Sequence, residues 1–147
     1  MSADKHEFRR LTTAHHEAGH AVAHLLAGGT VREVVLSRDG RTGYTEIAED
    51  GPREGNLMGW LVMLLAGQEA NARFLTEHGY SLSRARRVCR AASPGDLREF
   101  RAAARGTGIS EHRARRATER LVDRKWSRIH RAALRLAARG RLPGSAL

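Results

Sequence analysis

Two histidines one helical turn apart, His16 and His20, with Glu17 beside the first, constrain this chain more than any other feature. Around them Leu11, Ala18, Val22 and Leu25 recur at helical spacing over residues 8–26, and Gly28-Gly29 supplies a stop signal. At about 100° per residue, positions i and i+4 share one face, so both imidazoles leave the helix on the same side, away from the apolar stripe. Both can reach a single Zn²⁺ at roughly 2.0–2.1 Å. The Glu17 carboxylate can then hydrogen-bond a metal-bound water as a general base. The competing reading makes His15, His16, His20 and His24 a solvated histidine-rich face.

At 147 residues the chain is expected to be a single domain over 1–147, and its 41% hydrophobic and 29% charged residues fit a folded, soluble protein. Few aromatics imply a core of Leu, Val and Ala. The first residues include Asp4 and Glu7 and no signal-peptide apolar stretch. The best apolar run, 60–66, is far short of the roughly 18–20 residues a membrane span needs. A lone Cys89 makes no internal disulfide, so a cytoplasmic location is expected. Cys89 lies in a basic stretch whose cations would lower its pKa, but without a partner base it is treated as incidental.

The runs 31–37 and 44–48 are strand-like and flank Asp39-Gly40, a tight-turn pair, which predicts a β-hairpin. Asp50-Gly51-Pro52 is expected to open a second helix whose face runs through Leu57, Leu61, Leu64, Gln68, Ala72 and Leu75. Residues 79–92 are basic, weakly patterned and read as a loop. Ser93-Pro94-Gly95-Asp96 has the form of a capping box and starts a short helix to about Gly106. Ser110 caps one long basic helix over about 110–139, with Leu121, Val122, Trp126, Ile129, Ala133 and Leu136 inward. Trp60 and Trp126 are assigned to the core. The expected fold class is mainly α, with a small β-hairpin beside the His16–His20 helix.

Catalytic zinc takes three protein ligands and keeps a further position for water. Glu69, Asp96 and His24 are the candidates for the third, His24 the poorest because a straight helix carries it too far from His16.

Thr13-Ala14-His15-His16-Glu17-Ala18-Gly19-His20-Ala21, Gly43-Tyr44-Thr45, Leu64-Leu65-Ala66-Gly67-Gln68-Glu69-Ala70 and Gly108-Ile109-Ser110 together resemble the peptidase domain of FtsH-type (M41) zinc proteases. The resemblance implies Asp96 as the third ligand, from Ser93-Pro94-Gly95-Asp96-Leu97 at a helix start. Against it stands the plainer role of Asp96 as the acid of the capping box. The chain departs from the family at Asn71, where the family has Glu, and at Gly95, where it has Asn. It also carries no Gly-x-x-x-x-Gly-Lys-Ser/Thr loop, so ATP-driven unfolding is not expected within it.

The expected activity is zinc-dependent endopeptidase cleavage of flexible peptides or unfolded segments, with His16, His20 and Asp96 on the metal, Glu17 as base, and Gly43, Tyr44 and Thr45 binding substrate by strand addition. A separate ATPase or adaptor is left open as a partner, as is a homo-oligomer. The formal net charge of +10 and the arginines of the last helix suggest the rival reading, a nucleic-acid-binding or regulatory module with a vestigial metal site. No reader motif accompanies that charge, so a solvated helix face is preferred.

Overall fold

The computed structural model describes residues 2–147. Eight principal elements precede a short C-terminal strand: α1 (Ala3–Leu26), β1 (Val31–Leu36), β2 (Gly43–Ile47), α2 (Leu57–Thr76), α3 (Leu82–Ala92), α4 (Pro94–Ala104), α5 (Glu111–Arg124) and α6 (Trp126–Arg139), then β3 (Arg141–Pro143). The expected mainly helical class with a small hairpin is what the chain adopts.

The central event is the packing of α1 on α2. Gly19 lets it happen: a Cβ there would lie 2.5 Å from the Ala66 carbonyl oxygen and 2.7 Å from the Ala70 Cβ. Ala14, Ala18, Ala21 and Val22 of α1 are buried in one cluster with Ile129, Ala133 and Leu136 of α6 and Val34 and Leu36 of β1. Ala23 joins a second cluster with Leu61, Leu64 and Leu65 of α2 and Phe100 of α4. Helix α1 starts earlier than its apolar pattern, because the Ser2 side chain caps it, and it ends at Leu26, with Gly28 at φ of 87° just beyond the cap residue Ala27.

The sheet has the order β2-β1-β3, all antiparallel. The third strand has no counterpart in the expected hairpin: Leu142 pairs with Val34 and is fully buried, so the chain end is drawn onto β1 by one leucine. The Asp39-Gly40 turn docks on α1 through Thr13, whose hydroxyl donates to the Gly40 carbonyl at 2.7 Å. Arg10 ties three parts together, donating to the carbonyls of Ser37, Arg38 and Ala137. The last of these is a carbonyl near the end of α6, which the helix itself leaves without a partner.

Three expectations are corrected. Residues 82–92 form α3 rather than a loop, because Ser81 caps them and Ala85 and Cys89, four apart, pack on Phe74 and Leu75. Pro52 does not open α2; Asn56 does, its side chain accepting from the Gly59 amide. The long basic helix breaks at Lys125 (φ −107°, ψ 15°), so that α5 packs on α2 and α6 on α1. Trp60 and Trp126 are only partly buried, against the edges of these clusters.

Cys89 lies buried among Phe74, Leu75 and Ala85, and burial, helped by the charge of Glu69, pushes its thiol up to about 12. The expected lowering by nearby arginines does not occur. Native protein at pH 8 should therefore resist iodoacetamide, and denatured protein should take up one label; rapid native labelling would contradict this burial.

Replacing Gly19 with Ala should destabilise the protein by about 1–3 kcal/mol, as overpacking does. Urea denaturation is the measurement, and a midpoint equal to wild type would mean the helices are not in this contact.

Candidate metal centre

Helix α1 carries His16, Glu17 and His20 to a face bounded by α2, β2 and the start of α4. His16 Nε2 and His20 Nε2 lie 3.0 Å apart, and each is 3.1 Å from Asp96 Oδ2. Donors around tetrahedral Zn²⁺ at 2.0–2.1 Å stand about 3.3 Å from one another. The triangle is within a few tenths of an ångström of that face. Two imidazoles and one carboxylate are also the number and type of protein ligands that catalytic zinc accepts.

Surrounding groups set the rings. His20 Nδ1 donates to the Met63 carbonyl at 2.7 Å; since a carbonyl only accepts, a proton is on Nδ1, and Nε2 is the atom turned towards Asp96 and His16. Gly67 makes room for that ring, because a Cβ there would fall 2.5 Å from His20 Nε2. Asp96 is held from the other side: α4 is anchored by the buried Phe100 between Leu61, Leu64 and Leu65, which puts its first turn over the histidines.

The centre favours positive charge. Burial opposes a charged His20, but the hydrogen bond and charge of Asp96, then Glu17 and the Met63 carbonyl, raise it to about 9. Burial would likewise raise Asp96, yet the hydrogen bonds to His16 and His20 hold it well below the usual carboxylate range. An arrangement that attracts a proton so strongly also suits a metal cation.

Glu17 is buried, with 8% of its surface exposed. Thr45 Oγ1 is 2.9 Å from Glu17 Oε2, to which it can donate, and 3.1 Å from the Glu17 carbonyl. Gly43 passes so close that a Cβ would sit 3.0 Å from Glu17 Cγ. The register pairs Leu36 with Gly43 and Val34 with Thr45, so both β2 residues face α1 with those buried partners. Tyr44 points the other way, 49% exposed, with its hydroxyl donating to Glu33. Gly43 and Thr45 thus border the site and the Tyr44 side chain does not.

The other two third-ligand candidates are engaged elsewhere. Glu69 accepts from Arg86 at 2.7 and 3.1 Å, and His24 Nε2 is 2.7 Å from Glu49 Oε2. Nor do the histidines form a solvated face, since His15, His20 and His24 are all buried. His15 stacks on Phe74 at 4.2 Å, and burial lowers it to about 4. Its Nδ1 donates to the Leu11 carbonyl, which leaves Nε2 to accept from His130. Of the expected capping box, the Ser93 half is not made, since its side chain donates instead to the Cys89 carbonyl, while Asp96 does lie in the first turn of α4.

Sequence reasoning did not find the Met63 carbonyl or the ring space at Gly67. A glycine inside an otherwise apolar helix, Leu64-Leu65-Ala66-Gly67, was the signal that something approaches closely there.

Residues 5–76 match the family described as Peptidase M50B-like, a span that contains His16, Glu17 and His20 and ends before Asp96. The match supports a metallopeptidase in kind. The matching family is not the FtsH-type family that the sequence resembles. No curated protein matches the chain.

With free zinc at about a hundredfold its Kd, the wild type should gain about 2.7 kcal/mol, seen as a rise in Tm that a chelator reverses. Asp96→Asn should lose most of that gain. An undiminished zinc-dependent shift in this variant would remove Asp96 from the ligand set.

Proposed function

We propose that the chain is a zinc-dependent endopeptidase in which His16, His20 and Asp96 hold the metal and Glu17 is the general base. The observation that carries the reading is the meeting of Asp96 with two α1 imidazoles, beside a carboxylate that belongs to neither the metal triangle nor any ion pair among the described residues. A bound divalent cation supplies Lewis acidity towards a peptide carbonyl and acidifies water.

The residues of the chain do the rest. Thr45 holds Glu17 Oε2, leaving Oε1 to take the proton of the attacking water and later deliver it to the leaving amine. Strand β2 has β1 on one side only, so its other edge is open to an extended substrate, with Gly43 and Thr45 beside Glu17. Flexible peptides and unfolded segments are the substrates that can reach such an edge. A separate ATPase or adaptor would deliver folded ones, and a cytoplasmic setting goes with this reading. Within the metallopeptidases, the FtsH-type likeness rests on Gly43-Tyr44-Thr45 and on the position of Asp96. No helix among the described residues is long and apolar enough to cross a membrane.

The test is cleavage of an unstructured protein by the zinc-loaded chain without ATP. Glu17→Gln should lower kcat by about 10²–10⁴-fold while zinc content is unchanged. Full activity in that variant would end the general-base assignment.

A further inference from the structure

We infer that the cleft over this site selects peptide chains bearing carboxylates, and that Lys5, Arg9 and Arg41 read them. The inference rests on the peptidase reading and names the substrate class for the same site.

A cleft of about 720 Å³ opens beside His16 and Glu17, between the first turns of α1 and the turn before β2. Lys5 and Arg9 stand one helical turn apart on its α1 wall, and Arg41 comes from the turn. Glu17 is the sole carboxylate among the lining residues, so three cations surround the approach to the catalytic groups.

Those cations have almost nothing to bind among the described residues. Lys5 and Arg9 make no ion pair among the described residues. Arg41 lies 4.0 Å from Asp39, with both side chains more than half exposed, and a contact of that kind is weak. Asp39 already accepts from the Ser37 hydroxyl and the Arg41 amide. Other arginines near the site are engaged, Arg10 by three carbonyls and Arg86 by Glu69 and Glu119.

Beside the cations, the wall carries apolar groups such as Phe8 and Ala92 and a few uncharged polar ones. Asn71 reaches it from α2, nine-tenths buried, with Oδ1 lacking a partner among the described residues. A cleft rimmed by three cations around a buried carboxylate base favours anionic chains on approach and repels basic ones. The carboxylates can be Asp or Glu side chains or the substrate's C-terminus.

Binding is the direct test. Fluorescent peptides rich in Gly and Ser and carrying Glu residues, and their Gln counterparts, each as free acid and as C-terminal amide, are titrated against zinc-loaded Glu17→Gln by anisotropy. The Glu peptides should bind about tenfold tighter at low ionic strength, and the preference should fade in high salt. A gain confined to the Glu pair assigns recognition to side chains, and an equal gain for the free-acid Gln peptide assigns it to the chain terminus. Adding Arg9→Glu and Arg41→Glu should abolish the preference, whereas Arg116→Glu, exposed on α5 and absent from the cleft wall, should keep it.

No preference for any carboxylate, or an equal loss with Arg116→Glu, would overturn the inference. Cleavage of Glu and Gln peptides by wild type with equal affinity would leave the peptidase reading standing and remove this one. Charge-selective binding with no cleavage of either would do the reverse.

Discussion

The close crossing of α1 and α2 at two glycines is the contact on which the remaining structure depends. Gly19 brings the helix backbones together and Gly67 leaves a hollow for the His20 ring. Only at that separation can His20 reach the Met63 carbonyl, and that hydrogen bond is what fixes the orientation of the ring. A helix pair held further apart by alanine would still bury its apolar stripe. It would not aim an imidazole.

Much of this was legible in the residues, for reasons of period and local chemistry. The His16–His20 spacing, the Asp39-Gly40 turn and the apolar run of α2 each express a local rule, and each appears in the fold. What escaped were features decided by distant contacts. Residues 82–92 look like a basic loop because helix α3 needs only Ala85 and Cys89 to face inward, too few to leave a pattern. The break at Lys125 is similarly tertiary: the apolar positions run on through Trp126, and the change of partner from α2 to α1 is what divides the helix. Strand β3 depends on a single buried leucine, Leu142.

The triangle could be only half read. Two of its corners are a motif, and the third is set by Phe100, four residues beyond Asp96, which seats α4 among the leucines of α2. The local sequence around Asp96 argues for a capping box, and the geometry instead turns its carboxylate onto His16 and His20.

A formal net charge of +10 would seem to disfavour a cation site, and distance resolves the conflict. At physiological ionic strength, fields from exposed arginines are largely screened beyond about 8 Å. The acids of α5 already pair with Arg73, Arg86, Arg101 and Arg115. Within 3.1 Å of the imidazoles there is a carboxylate, and a buried one stands beside it. Short range and burial let these two charges dominate at the His16–His20–Asp96 triangle, while on the proposed reading the cleft cations would act on a peptide as it approaches. On the proposed reading, one surface would attract a cation to its floor and an anion to its rim.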